Sequence, residues 1–192
     1  MFSKVINYID FKSINPSVKY LSIAAFFTGI ALGYFFTVIV IVAKYKGFSE
    51  GTIGIIAACF SFGLMSAGFI VSIVLDKIGL YITMLLAITI QTVCVILMFV
   101  FFNPINLAIN HFIMGVLAGM NWMTMDTWVN LVSDNKNRGK AIGFYNSAIT
   151  VGFAAGPLLV GLFGTQGFFP IILCIVLMII RSPVIVLIKK HI

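Results

Sequence analysis

Six long runs of apolar residues occupy most of this chain and constrain its fold more than any other feature. A helix needs about 20 apolar residues to cross the hydrocarbon core of a bilayer. Backbone groups in lipid must be hydrogen-bonded internally, so such runs predict helices rather than open strands. The predicted transmembrane segments are Tyr20–Ala43, Ile53–Leu75, Leu80–Phe102, Leu107–Val132, Ala141–Phe163 and Phe168–Ile188. The predicted fold class is therefore an all-α membrane protein.

The composition supports a lipid environment. The chain is 61% hydrophobic and 9% charged, with a mean hydropathy of +1.17, whereas a soluble domain carries roughly 25% charged residues to hydrate its surface. The net charge of +7 would suggest nucleic acid in a soluble protein. Here the basic residues lie in short loops beside apolar segments, so we assign them to membrane orientation and expect no nucleic-acid partner.

The connections between the apolar segments are too short to hold a soluble domain. They carry turn-forming residues, namely Gly47 and Gly51, Gly79, Asn103 with Pro104, Asn135 with Gly139, and Gly164 with Gly167. The predicted organisation is a short cytoplasmic segment at residues 1–19, a six-helix transmembrane bundle at 20–188, and a cytoplasmic tail at 189–192.

The distribution of lysine and arginine predicts the orientation of the bundle. With the N-terminus inside, nine basic residues fall on the inner side and two on the outer side, which satisfies the positive-inside rule. The inner set is Lys4, Lys12, Lys19, Lys77, Lys136, Arg138, Lys140, Lys189 and Lys190, and the outer pair is Lys44 and Lys46. We therefore expect a multi-pass protein of the plasma (inner) membrane with both termini cytoplasmic.

The loop after the second segment carries a patterned group of small and charged residues, Gly68, Ser72, Asp76, Lys77 and Gly79. Small residues four apart allow a neighbouring helix to approach closely. Asp76 lies at a helix end where the helix dipole disfavours an anion, so it needs a compensating partner. Gly79 suits the left-handed conformation that ends a helix. The alternative interpretation is a short polar turn that closes a helical hairpin.

The fourth segment contains ionisable residues at membrane depth. His111, Gly115, Gly119, Trp122, Asp126 and Asn130 share one helical face, which predicts that this face meets a cavity or other helices rather than lipid. An ionised Asp126 costs on the order of 3 kcal/mol at depth, and such a carboxyl can take up and release protons. His111 titrates near neutral pH and is a second proton candidate. The alternative for Asp126 is a structural ion pair with Arg138 or Lys77.

The fifth segment contains glycines around a proline: Gly152, Gly156, Pro157 and Gly161. Glycines permit close helix packing, and Pro157 removes a helix hydrogen bond and favours a kink. This pattern predicts a bent, dry helix interface, with an ordinary kinked packing helix as the alternative.

Taken in order, the three patterns resemble signatures of the major facilitator superfamily. The gate motif of that family is similar to Gly68, Ser72, Asp76, Lys77 and Gly79, with Arg138 on the next cytoplasmic loop, and its antiporter motif is similar to the fifth-segment pattern. The resemblance implies the amino-terminal six-helix half of a twelve-helix secondary transporter, built as a 3+3 inverted repeat. The pairs Gly29/Gly33 and Gly115/Gly119 would occupy equivalent positions in that repeat.

The family resemblance also implies roles for several residues. Asp76 would lock the cytoplasmic gate against the opposite half, and Asp126 would couple protons. His111 stands where the family commonly has an arginine that is linked to proton coupling. The pattern of Trp122 and Asp126 followed by residues 135–140 is similar to the putative drug and sugar efflux branches.

Candidate residues for a substrate cavity are the polar or aromatic side chains inside the segments: Tyr34, Gln91, Trp122, Asn146 and Arg181. Three roles are open for Arg181: it neutralises Asp126, it binds an anionic substrate, or its side chain extends along the helix towards the cytoplasm. We expect the last, because Pro183 can end the helix early.

The family resemblance implies secondary active transport of a small molecule, as proton-coupled efflux by alternating access. The expected partners are the lipid bilayer, a small-molecule substrate, protons, and a second six-helix half or a homodimer partner. A truncated or degenerate remnant without transport and a small six-span channel are the alternatives. We expect neither enzyme activity nor a cofactor or metal, because His111 is the only histidine in the segments and metal ligands do not cluster.

Overall fold

The computed structural model describes residues 15–135, 137–165 and 167–188, and in these ranges the chain is helical and contains no strand. The helices are α1 (Pro16–Tyr45), α2 (Glu50–Val100), α3 (Pro104–Val132), α4 (Arg138–Phe163), α5 (Phe169–Ile179) and α6 (Arg181–Ile188). The predicted all-α class is confirmed. Of the predicted segment at residues 1–19, the first fourteen residues lie outside the described ranges, as does the predicted tail at 189–192.

Asparagine–proline pairs begin two of the helices. The Asn15 side chain accepts a hydrogen bond from the backbone N–H two residues on, at 2.9 Å, and Pro16 opens α1. Asn103 accepts from the N–H three residues on, at 3.0 Å, and Pro104 opens α3. Proline suits the first helical position because the N–H that it lacks would have no partner there. The turn predicted at Asn103 and Pro104 is confirmed.

Helix α2 contains a break at Gly79. At 1.5 Å per residue its 51 residues would extend about 76 Å, more than twice the thickness of the hydrocarbon core. Gly79 has φ 75° and ψ 169°, which interrupts the helix between residues 50–78 and 80–100. The rings of Phe48 and Phe102, just outside the two ends of α2, are 5.8 Å apart. The chain therefore reverses within α2, as the glycine predicted.

Four of the described helical stretches are long and apolar enough to cross a membrane: Pro16–Tyr45, Glu50–Val100, Arg138–Phe163 and Phe169–Leu187. Helix α3 is nearly as long as α1 but is not among them, because asparagines, His111 and Asp126 lower its hydropathy. A polar helix within an otherwise apolar bundle is expected to face protein or a cavity rather than lipid.

The last of these stretches is broken between α5 and α6. Pro183 has no N–H to bond the carbonyl of Ile179, and its ring crowds that carbonyl. The Ser182 hydroxyl donates to the Ile179 oxygen instead, at 2.7 Å. The Ile179 carbonyl is therefore hydrogen-bonded despite the proline, and Arg181 is the first residue of α6.

Helix α1 packs mainly along α4, and α2 packs mainly along α3. At one end of the bundle, the Asn15 side chain donates to the carbonyl of Val132 at 3.0 Å, which ties the start of α1 to the end of α3. Two apolar clusters fill the interior. The proximal cluster, on the Asn15 side, includes Val18, Leu21, Met84, Trp128 and Ile185. The distal cluster, at the opposite end, includes Phe35, Val38, Met98, Met114 and Met178.

Candidate functional site

A cavity of about 360 Å³ lies between the proximal and distal clusters. On α1, Thr28 and Gly29 separate the residues of the two clusters and line this cavity. The remaining lining comes from both parts of α2, from α3 and α4, and from the start of α6. The volume falls within the range of roughly 300–1,000 Å³ that is usual for small-molecule pockets.

Arg181 lies at one wall of the cavity and is fully buried. Its Nε donates to the carbonyl of Met178 at 3.1 Å, and one terminal nitrogen donates to the Thr28 hydroxyl at 3.4 Å. The other terminal nitrogen donates to Oε1 of Gln91. The expectation that Arg181 extends towards the cytoplasm is wrong, because its guanidinium is fully buried in the bundle, where α1 and α2 supply acceptors.

The Arg181 guanidinium has no carboxylate partner among the described residues. The one salt bridge in these ranges joins Lys44 and Glu50 at the surface, 3.7 Å apart, and no acidic residue lines the cavity. The interpretation that Arg181 neutralises Asp126 is therefore wrong. A charged arginine at membrane depth costs about 3 kcal/mol on insertion scales, and its neutral acceptors, three oxygens and the weakly accepting Met178 sulfur, offset only part of that cost.

Two buried amide groups beside the cavity have unpaired atoms. A guanidinium can only donate, so Oε1 of Gln91 must face Arg181, and this fixes the direction of the amide. Nε2 of Gln91 then has no acceptor among the described residues, and Oδ1 of Asn121 has no donor. Both side chains line the cavity and are nearly fully buried, at 1% and 2% exposure. A buried unpaired polar atom costs roughly 1–3 kcal/mol, so these atoms indicate a place for a bound group.

The opposite part of the cavity is aromatic. Phe36 meets the ring of Phe60 edge-on with centroids 4.7 Å apart, and Phe153 lies 6.3 Å from Phe36. These three residues line the cavity with Leu32. Thr28 and Phe36 are two turns apart on α1, which separates the polar end from the aromatic end by about 12 Å.

Asp126 does not line this cavity, although it is only half-buried. Its carboxyl group lies beside the phenol of Tyr145, but the buried Tyr145 hydroxyl makes no hydrogen bond within the described ranges. The predicted structural ion pairs are not formed among the described residues. Arg138 instead donates to the backbone carbonyl of Asn130 at 3.5 Å. Asp126 therefore has no cationic partner in that part of the chain.

His111 lies in the distal cluster, away from Asp126. It is 2% exposed, packs against Phe35 with ring centroids 5.4 Å apart, and is bonded through Nδ1 to the carbonyl of Leu107 at 2.8 Å. Because a carbonyl only accepts, Nδ1 carries the proton. Fifteen residues on one helix separate His111 from Asp126 by about 22 Å. The structure thus does not bring the two proton candidates together.

The gate-motif residues lie on an exposed surface. Gly68, Ser72, Asp76 and Lys77 are all exposed, and Asp76 has no ion pair or hydrogen bond within the described ranges. A Cβ added to Gly68 would meet only the end of the Met123 side chain, at 3.8 Å. The close approach expected at this stripe occurs instead on the adjacent face of α2.

Glycines bring both main helix pairs into backbone contact. A Cβ at Gly63 would overlap the backbone of α3 at Phe112, and one at Gly115 would overlap the backbone of α2 at Phe60. The second pair is held in the same way. A Cβ at Gly29 or Gly33 would overlap the backbone of α4, and one at Gly152 or Gly156 would overlap that of α1. Pro157 is exposed and α4 continues through it, while Gly161 has open space around it.

Of the five predicted cavity residues, Gln91, Trp122 and Arg181 line the cavity. Asn146 lines a shallow surface depression on α4, and Tyr34 is fully buried in the distal cluster. Sequence reasoning missed Thr28 and Asn121. Asn121 precedes Trp122 on a helix already predicted to face a cavity, so an intramembrane asparagine there was a usable signal. No residue pattern distinguishes Thr28 from other intramembrane threonines.

The arrangement contains neither a nucleophile–base pair at the cavity nor, among the described residues, a group of three or more metal-ligating side chains.

Comparison with protein families matched the chain to the Major Facilitator Superfamily over residues 21–189, which is nearly its whole length. Comparison with curated proteins found no match.

Proposed function

The chain belongs to the Major Facilitator Superfamily, and we propose that it performs proton-coupled efflux of a small molecule by alternating access. Members of this family are multi-pass membrane proteins that transport small molecules. The observation that carries the proposal is the cavity between the two clusters. A site at mid-depth in the bundle, with buried polar atoms unpaired around it, suits a substrate that binds reversibly.

The bundle is proposed to have six transmembrane segments arranged as a 3+3 inverted repeat. In such a repeat the first segment corresponds to the fourth and the fifth to the second. The contacts support this correspondence, since α1 uses Gly29 and Gly33 against α4, and α3 uses Gly115 and Gly119 against α2. Each pair sits at the same four-residue spacing and meets helix backbone or a small side chain.

We propose that the protein lies in the plasma (inner) membrane with both termini on the cytoplasmic side. The tether between Asn15 and Val132 puts the start of α1 and the end of α3 at one end of the bundle. Lys46 lies over the ring of Phe102, 5.3 Å from its centroid, so the connections on either side of α2 share the other end. This alternation agrees with the distribution of basic residues in the sequence.

We propose that the bundle works against a second six-helix bundle, on another polypeptide or on a second copy of this chain. Asp76 supports this idea because it is exposed and unpaired in the described ranges, and it is disfavoured by the helix dipole. Lys77 and Arg138 would complete the gate. The exposed small residues Gly68, Ser72 and Gly161 leave room for a close helix partner.

Asp126 is the proposed proton carrier. It is half-buried, lacks a cationic partner among the described residues, and lies beside the Tyr145 phenol. Protonation removes a charge that is costly at this depth, so its affinity for protons would change whenever access to water changes. His111 is the weaker candidate because its Nδ1 is bonded to a carbonyl in an apolar cluster.

Flux measurements in proteoliposomes test the proposal. With the pH indicator pyranine inside, a saturable substrate-dependent proton movement is expected when 2-naphthoate, ethidium or lactose is added in turn. Asp126→Asn should abolish the proton movement, whereas Asp134→Asn, which removes an exposed acid from the α3–α4 connection, should leave it intact. Equal loss in both variants, or none in either, contradicts the role of Asp126.

The two rival functions give different results in the same vesicles. A channel would conduct ions passively without saturation. A remnant would bind no substrate and move none, and crosslinking in native membranes would recover only monomers. A saturable carrier activity excludes both.

A further inference from the structure

We propose that the cavity binds an amphipathic organic anion, with its anionic group at Arg181 and Gln91 and its apolar body on the aromatic end. This inference rests on the transport function proposed above and names the substrate class for that site. It follows from four features of the cavity: an uncompensated charge, a fixed amide, an apolar end and a limited volume.

The charge is the strongest of these features. Arg181 is fully buried, and its oxygen partners are a carbonyl, a hydroxyl and an amide, all of them neutral. A guanidinium has five N–H donors, and the bonds to the Met178 carbonyl, the Met178 sulfur, Thr28 and Gln91 use four of them. A buried charge is stable in proteins when it is paired. The missing partner is therefore a group with negative charge and oxygen acceptors.

The orientation of Gln91 adds a second donor for the same group. Because Oε1 accepts from Arg181, Nε2 points away from the guanidinium and has no acceptor among the described residues. A carboxylate or sulfonate has two or more oxygens, so it can accept from both the guanidinium and this amide. Asn121 lies on the facing helix with an unpaired Oδ1 and can accept from a donor on the ligand.

The other end of the cavity selects the rest of the molecule. Phe36, Phe60 and Phe153 present ring surfaces with no polar group between them. A sugar would leave its hydroxyls unpaired there. Each unpaired hydroxyl would cost roughly 1–3 kcal/mol, as measured in other proteins by removal of buried hydrogen-bond partners. A flat aromatic or alicyclic body suits these rings, and the volume of about 360 Å³ limits it to a small molecule.

Binding of matched probes tests this inference. The full chain is reconstituted in nanodiscs of zwitterionic phosphatidylcholine, and calorimetry compares 2-naphthoate with 2-naphthamide, which have the same rings but differ in charge. We expect the acid to bind at least about tenfold more tightly than the amide, as pairing with a buried charge predicts. Equal affinity for the two probes, or no binding of either by protein that melts cooperatively, overturns the inference.

Substitutions locate the charge without removing the fold. Gln91→Glu is nearly isosteric and gives Arg181 an internal carboxylate, so it should preserve the melting temperature and abolish the preference for the acid. Arg181→Lys should retain part of that preference, whereas Arg181→Gln should lose it. Lys44→Gln removes an exposed charge outside the cavity and should change nothing. A preference that survives Gln91→Glu contradicts the assigned site.

Flux measurements separate failure of this inference from failure of the transport function. Saturable transport of ethidium or lactose with no selectivity for the naphthoate would sustain the transport function and overturn the anion assignment. Selective binding of the naphthoate without flux of any probe would support the assignment and contradict transport by this assembly.

Discussion

Replacing Gly115 with alanine tests the backbone contact between α2 and α3. A Cβ on Gly115 would overlap the carbonyl oxygen of Phe60 and lie 2.9 Å from the backbone nitrogen of Leu64. Both atoms belong to the backbone of a helix, so neither can rotate away as a side chain would. Relief to an ordinary contact with that carbonyl oxygen requires α2 to move by more than about 1 Å, which loosens every neighbouring contact along the pair.

The expected destabilisation is that of an overpacked interior, about 1–3 kcal/mol, or roughly a five- to 150-fold change in the folding equilibrium. Gly143→Ala is the matched control, since this glycine lies within α4 and has open space around it. Alanine has the higher helix propensity, so the control should be neutral or stabilising by up to about 1 kcal/mol. Unfolding by SDS in mixed micelles, followed by circular dichroism, measures both variants.

Double substitutions sharpen this test. Gly63 contacts α3 across the same pair as Gly115, so the double variant Gly63→Ala with Gly115→Ala should cost less than the sum of the two single changes. Gly152 lies at the contact between α1 and α4. The loss of unfolding free energy caused by Gly152→Ala should therefore add to the loss caused by Gly115→Ala, within about 0.5 kcal/mol. If Gly115→Ala is as stable as Gly143→Ala, the close approach of α2 and α3 is refuted.

Three further predictions concern single side chains. Asn15→Ala should cost about 1 kcal/mol in unfolding free energy, because it removes a helix cap and a tether; no change in the SDS midpoint would contradict this. Pro183→Ala restores a backbone N–H and should rejoin α5 and α6, displacing Arg181 and weakening naphthoate binding in calorimetry; unchanged affinity would argue against the role of the break. Acrylamide should quench Trp122, which is 45% exposed at the cavity, and not Trp128, which is 2% exposed; equal quenching of the two single-tryptophan variants would contradict a hydrated cavity.

Much of the fold could be predicted because membrane helices obey strong local rules. The apolar runs, the turn at Asn103 and Pro104, and the reversal at Gly79 are each set by a few neighbouring residues. The prediction that Gly51 and Gly139 lie in turns between helices is wrong, and the reason is again local. Gly51 and Gly139 lie within the first turns of α2 and α4, where a glycine is tolerated because helix starts are already short of hydrogen bonds.

The helix contacts were only partly predictable. Small residues four apart indicate that a helix can approach another closely, but they do not identify the face that does so. On α2 the stripe of Gly68 and Ser72 is exposed, and the contact with α3 uses Gly63 and Ala67. A Cβ at Gly119 would lie 2.6 Å from that of Ala67, so an alanine can also take part in the contact. The choice between two adjacent stripes depends on the partner helix.

The position of Arg181 shows why the site itself was beyond sequence reasoning. Local rules correctly identify Pro183 as a helix breaker, and from that break alone an arginine near the end of a segment is expected to extend to water. The side chain instead follows its acceptors, which lie 90 residues away at Gln91 and 153 residues away at Thr28. No periodicity relates positions so far apart. The proline therefore indicates where the helix is interrupted, but the packed bundle decides where the guanidinium lies, because α1 and α2 bring acceptors to it.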